Sequence, residues 1–144
     1  MSDAVGWSMA TYTNRYRVDA SFEETIEAVT AALGDEGFGV LADIDIQGAF
    51  RTKLDEEFGQ YRILGACNPA LAYDALGEEF ELGALLPCNV VVYDDGDATG
   101  VSVVDPTQLF SVVDNDDLEP LVADVASRLE TALAAVPDAE PIEE

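Results

Sequence analysis

Two cysteines, each followed by an asparagine, are the residues of this chain best suited to chemistry. Cys67 and Asn68 directly precede Pro69, and Cys88 is followed by Asn89. An asparagine before a proline is typical of a helix start, so the Cys67 thiol lies just before a predicted helix N-terminus. Because helix N-termini favour anions, they stabilise a thiolate, and Cys67 is the best candidate nucleophile.

A site built on these residues admits several kinds of chemistry. Cys67 can attack, accept a sulfur or bind a soft metal, Cys88 can resolve or co-ligate, and the asparagine amides can orient the bound molecule. The cysteines are 21 positions apart, which excludes a CxxC redox motif, and two thiols alone make a poor zinc site, although a homodimer could supply four. The opposite interpretation is that both cysteines are small buried side chains of the core.

Tyrosine, carboxylate and lysine side chains supply further candidates, each with a structural alternative. Tyr61 and Arg62 are candidates to line a cleft, or form a core tyrosine and a surface arginine. Asp43 and Asp45 share one face of a predicted strand and can bind a cation or act as acid and base, although solvation and helix capping explain them as well. Lys53, the only lysine, is a functional cation or the partner of a carboxylate.

The composition excludes several functional classes. The 144 residues include 30 acidic and 6 basic residues and no histidine, which gives a formal net charge of -24. Such a surface repels phosphate backbones and anionic lipids, so nucleic-acid and membrane partners are not expected. Without histidine there is no catalytic triad and no His-ligated zinc. The acidic run 94–100 lacks EF-hand spacing, so no metal site is predicted, and the sequence indicates no particular cofactor.

The acidic residues are spread along the whole chain, which indicates a solvated coat adapted to high salt. No segment approaches the roughly 20 apolar residues of a membrane helix, and the first ten residues do not resemble a signal peptide. We therefore expect a cytoplasmic protein whose two thiols are free.

The elements that must position these residues alternate between strands and helices. Period-two patterns predict strands over residues 11–18, 40–46, 61–66, 85–93 and 101–104. Helical spacing and start signals, among them a capping box of Ser21 and Glu24, predict helices over 21–34, 45–54, 69–76 and 118–136. This order predicts an α+β fold with a largely antiparallel sheet of about five strands and helices on one face. The predicted organisation is an N-terminal extension (1–10), one domain (11–136) and an acidic tail (137–144).

Four segments of the chain resemble a known family. They are residues 42–47, 61–69, 85–92 and 104–106, and they include the strings Gly-Ala-Cys-Asn-Pro and Leu-Pro-Cys-Asn. Their order and spacing closely resemble domain-of-unknown-function family 302 from Tyr16 to Val136. The resemblance implies a compact α+β domain, related to the TATA-binding-protein-like topology and forming a homodimer, but no established activity. The acidic coat and the single lysine depart from the family and put any role of surface lysines in doubt.

The sequence therefore predicts a homodimeric domain that binds a small ligand, a sulfur species or a soft metal through a two-cysteine site. The predicted site residues are Cys67, Cys88, Asn68, Asn89 and Tyr61. An alternative is a non-catalytic homodimeric interaction or structural module with both cysteines in the core. A third hypothesis is a carboxylate enzyme that uses Asp43 and Asp45. Thiol reactivity separates the first two.

We expect the free energy of unfolding to be larger in molar KCl than in low salt. At that ionic strength screening limits repulsion between exposed carboxylates to a range of about 3 Å. Denaturant unfolding followed by circular dichroism in both salts measures the difference. Equal stability in the two would contradict adaptation to high salt.

Overall fold

A six-stranded antiparallel sheet is the framework of the structure, a computed structural model that describes residues 11–142. Its strands are β1 (Thr13–Val18), β2 (Gly39–Asp45), β3 (Tyr61–Cys67), β4 (Cys88–Asp94), β5 (Thr99–Val104) and β6 (Ala139–Ile142). Their order across the sheet is β2-β3-β4-β5-β1-β6. The α+β class and the antiparallel sheet are confirmed, whereas the TATA-binding-protein-like relation stays a prediction. The expected N-terminal extension, residues 1–10, lies outside the described residues.

Five helices connect the strands of the described chain. They are α1 (Phe22–Asp35), α2 (Ile46–Leu54), α3 (Pro69–Glu78), α4 (Pro106–Leu109) and α5 (Glu119–Ala134), with 3-10 turns at Phe80–Leu85, Phe110–Val112 and Asp116–Leu118. Ser21 and Glu24 form the predicted capping box of α1, and Asp45 caps α2. No helix between residues 11 and 142 has the length and apolar character to cross a membrane.

Two segments differ from the sequence prediction. Residues 139–142, expected to belong to the acidic tail, form the sixth strand and pair with β1. The strand expected from residue 85 begins only at Cys88, because Phe80–Leu85 forms a 3-10 turn. A short apolar run does not show by its period whether it is a strand or a turn of helix, which explains the second error.

The main core lies between one face of the sheet and the helices α1 and α5. Alternate strand residues such as Leu64, Val90, Val92 and Val101 are at most 1% exposed on this face. A second, smaller cluster of three buried residues lies apart from it and consists of Leu82, Phe110 and Leu118. The short helices and 3-10 turns hold this satellite cluster, so the chain buries apolar surface in two separate places.

The two aspartates of β2 have structural partners. Arg62 on β3 donates two hydrogen bonds to Asp43, at 2.7 and 2.6 Å, and this pairing holds the pKa of Asp43 below its ordinary value. The carboxylate of Asp45 accepts a hydrogen bond from the backbone N–H of Gly48 at the start of α2. Both carboxylates therefore stabilise the edge of the sheet, and the geometry does not favour an acid–base pair.

We expect Asp43→Asn to lower the free energy of unfolding at pH 7 by roughly 0.5–1 kcal/mol, since the pair is partly exposed. A lowered carboxyl pKa stabilises the fold fully above the ordinary value near 4 and ceases to do so as the pH falls through the lowered value. The difference between the two proteins should therefore shrink from pH 7 to pH 3 in denaturant titrations.

The matched control is Asp97→Asn, which removes the same charge from the exposed β4–β5 turn. Because it only relieves self-repulsion, this variant should be as stable as the original protein or slightly more so. Equal effects of the two substitutions would show that the Arg62 pairing contributes nothing specific.

Candidate functional site

The two cysteine motifs meet where β3 ends and β4 begins. Ala66 lies directly opposite Cys88 in the register of the two strands, and Gly65 lies opposite Asn89. The ring of Pro87 crosses Gly65 so closely that a Cβ on this glycine would lie 2.7 Å from the Pro87 Cγ atom. The absence of a side chain at Gly65 therefore allows the Pro87 segment to lie against β3, and the two motifs form one structural unit.

Asn68 ties this unit to two neighbouring elements. Its side-chain oxygen accepts a hydrogen bond from the Leu71 N–H and caps α3, as predicted, while its amide nitrogen donates to the Glu36 carbonyl at 3.3 Å. Gly37 makes room for that nitrogen, since a Cβ there would lie 2.9 Å from it, and its φ of +88° favours glycine. Both ends of the Asn68 amide have partners, so its first role is to fix the start of α3.

A narrow cavity of about 50 Å³ lies beside this unit, between the main core and the satellite cluster. Cys67 and Cys88 both line it, and apart from Asn68 the other lining residues are apolar. They are Phe38, Ala66, Leu71, Ala72, Ala75, Leu82, Leu86, Pro87, Phe110, Leu118, Leu121, Val122 and Val125. A space of this size takes a guest of a few heavy atoms, and its walls select an apolar one. We call it the thiol cavity.

The two cysteines differ in exposure. Cys88 is only 4% exposed, and burial together with the neighbouring Cys67 raises its pKa to about 11, so it carries a proton at neutral pH. Cys67 is half-buried. Since side chains alternate along a strand and Ala66 faces Cys88, the Cys67 side chain leaves β3 on the opposite side of the sheet from Cys88. Both nevertheless line the cavity, because Cys67 is the last residue of β3 and Cys88 is the first residue of β4.

The other two predicted ligand-binding residues lie elsewhere. Asn89 is exposed and does not line the thiol cavity. Tyr61 lies at the far end of β3, where its ring contacts Phe58 and stacks on Tyr93 with centroids 5.9 and 6.3 Å away. Burial raises the pKa of Tyr61, as expected for a tyrosine packed among aromatic rings. Lys53, on the last turn of α2, is exposed.

Most residues of the cavity wall could not be identified as site residues from the sequence. Phe110 lies in a stretch for which the sequence predicts no helix or strand, and Leu118 and Val122 lie at the start of the last predicted helix. Their side chains are ordinary apolar ones, and only the tertiary fold brings them near the cysteines. The useful signal was the Gly-Ala-Cys-Asn-Pro string, in which glycine, asparagine and proline have structural roles and the cysteine lines the cavity.

The donor set does not form a metal centre. Within residues 11–142 no group of three or more cysteine or carboxylate side chains lies close enough to hold a metal ion. A soft metal at the two thiols would have only those two protein ligands, and it would have to displace the proton of Cys88.

The fold and the site together define an α+β domain with an open antiparallel sheet and a two-thiol cavity at the end of its central strands. The family described as "Domain of unknown function DUF302" matches residues 14–136, and the chain belongs to this family. The crystal structure of an uncharacterized conserved DUF302 protein from Bacillus stearothermophilus is similar, with a TM-score of 0.82 and 31% identity. The similarity covers 88% of this chain and 99% of that one. No curated protein matches the sequence.

We expect Gly65→Ala to destabilise the protein by roughly 1–3 kcal/mol, because the new methyl group overlaps the Pro87 ring and the neighbouring backbone must move. Gly77→Ala is the matched control, since nothing lies within 4 Å of its Cβ position in α3. There alanine should raise stability by up to about 1 kcal/mol through its helix propensity. Thermal and denaturant unfolding measure both. Equal changes in the stability of the two variants would mean that the contact between Gly65 and Pro87 is not tight.

Proposed function

We propose that this protein binds a small, apolar, sulfur-containing molecule in the thiol cavity, where the ligand contacts Cys67. One observation carries the proposal: the chain has two cysteines, and both line a single apolar cavity that has room for a few heavy atoms. Sulfur is a soft, polarisable atom, and thioether and thiol groups pack favourably against one another and against aromatic rings. Phe38 and Phe110 supply such rings in the cavity wall.

The two thiols have different roles in this proposal. Cys67 is half-buried, so reagents from solution and the bound molecule both reach it. Cys88 is buried and protonated at neutral pH, which suits it to contact a ligand as a neutral S–H group and makes it a poor nucleophile. A soft metal is a less favoured guest, because it would have only two protein ligands and would have to displace the proton of Cys88. The proposed function is binding, without a catalysed reaction.

A second candidate is a non-catalytic homodimeric module that uses the face of the sheet opposite α1 and α5. In a chain of net charge -24 this face is unusual, because between β2 and β5 its residues are all uncharged. They include Ala42, Ile44, Tyr61, Ile63, Gly65, Asn89, Val91, Tyr93, Gly100 and Ser102. Two highly acidic copies repel each other least where neither presents carboxylates, which favours this face as the contact.

Alkylation of the native protein in molar KCl tests the first proposal. We expect iodoacetamide to label Cys67, whereas Cys88 should stay unlabelled until the protein unfolds, with mass spectrometry as the readout for each cysteine. Diethyl sulfide, which is small and apolar and reacts with iodoacetamide far more slowly than a thiolate does, should protect Cys67 in a saturable way. Ala72→Leu fills the cavity and should weaken this protection at least about tenfold, by analogy with the sensitivity of packed sites to added methylenes.

Ala70→Leu is the control, since Ala70 is exposed on the same helix and does not line the cavity. It should leave labelling and protection unchanged. If neither cysteine reacts before unfolding, the ligand-binding proposal is wrong and the homodimeric module is favoured. Light scattering should then give twice the chain mass of 15.4 kDa.

A further inference from the structure

A second concavity adjoins the thiol cavity on the side of the satellite cluster. It is an open cleft of about 410 Å³ between the N-terminal half of α5 and the chain that runs from α4 to the last 3-10 turn. Ala123 forms part of its floor on α5. The cleft is several times larger than the thiol cavity and is lined by both polar and apolar side chains.

The cleft and the thiol cavity share a wall. Phe110, Leu118 and Val122 line both spaces, so the two spaces meet at the same three side chains. The wall belongs to short elements, namely the 3-10 turns at Phe110–Val112 and Asp116–Leu118 and the first turn of α5. Phe110 and Leu118 are two of the three buried residues of the satellite cluster and Val122 packs against them, so a ligand that joins the two spaces has to displace side chains of this small cluster.

The polar lining of the cleft determines which chemical groups it accepts. Ser111 donates its hydroxyl hydrogen to the Gln108 carbonyl, and Asn115 is bonded to groups of Glu78 and Glu79. The carboxylates of Asp114, Asp116 and Glu119 therefore provide the charge that a ligand meets, and no basic side chain lines the cleft. An anionic group is repelled there, whereas an ammonium group or a neutral donor is accepted.

We propose that the thiol cavity and this cleft are two halves of one binding site, and that its ligand has a short apolar end and a cationic or neutral polar head. The apolar end occupies the thiol cavity and the head occupies the cleft, with the chain passing between Phe110, Leu118 and Val122. This inference rests on the proposed function of the thiol cavity and adds to it the charge of the ligand. The inference follows from the cavity and the shared wall, and the carboxylates determine only the sign of the charge that the head group can carry.

Calorimetric titration in molar KCl with three probes of equal chain length tests the proposal. Hexylammonium should bind, hexanol should bind more weakly, and hexanoate should not bind, because at this salt only carboxylates within a few ångströms of the head group act on it. Protection of Cys67 from iodoacetamide by the same probes locates the apolar end. The double variant Asp114→Asn, Asp116→Asn should weaken hexylammonium about fivefold and leave hexanol unchanged.

Two matched controls isolate the cleft. Glu56→Gln with Asp97→Asn removes the same number of charges at exposed positions near the opposite end of the sheet and should not alter binding. Ala123→Trp fills the cleft and should weaken hexylammonium at least about tenfold, since the head group would meet an indole ring. Ser127→Trp, one turn further along the exposed side of α5, should have no effect.

The outcomes distinguish the two proposals. If hexylammonium and hexanoate bind equally, or if Ala123→Trp changes nothing while diethyl sulfide still protects Cys67, the two-part site is wrong and the thiol cavity alone binds the ligand. If diethyl sulfide does not protect Cys67 and no six-carbon probe binds by calorimetry, both proposals are wrong.

Discussion

The contact between Gly65 and Pro87 is the constraint on which the functional region depends. It lets the chain before β4 lie against the end of β3, and it aligns Ala66 with Cys88 across the two strands. Asn68 then fixes α3 immediately after β3 and bonds to the turn that precedes β2. With these three points fixed, α3 and the following 3-10 turn lie beside α5, and the satellite cluster forms between these elements.

The site follows from the separation of the two apolar clusters. A single continuous core would pack its side chains without a gap larger than a water molecule. Here the main core is built on sheet, α1 and α5, whereas the satellite cluster is built on short elements whose positions are set by the loops between them. The two surfaces do not interdigitate fully, and the thiol cavity is the space that remains. Its apolar lining excludes charge, so the chemical character of the region comes from the sulfur atoms.

Local signals predict the framework of this protein well and the site only in part. The capping box of Ser21 and Glu24, and the caps at Asp45 and Asn68, depend on neighbouring residues, so the sequence contains all the information needed to find them. The sixth strand was missed because Ala139–Ile142 contains a proline and an acidic residue, and only its pairing with β1 makes it a strand. The cysteines were identified, but the cavity wall depends on contacts between residues more than 40 positions apart in the chain.

The acidic coat does not extend into the thiol cavity, whose lining residues include no carboxylate. At 31% identity the Bacillus stearothermophilus protein has the same fold over nearly its whole length, so most side chains can change while the framework remains. What the framework requires is the alternating apolar face, the helix caps and the glycine beneath Pro87, and apart from the carboxylates of the caps none of these is a surface charge. Exposed carboxylates interact over only a few ångströms in molar salt, so most of the net charge does not reach the thiol cavity. Recognition of a ligand therefore depends on the few groups that line the two spaces, and the coat serves solubility.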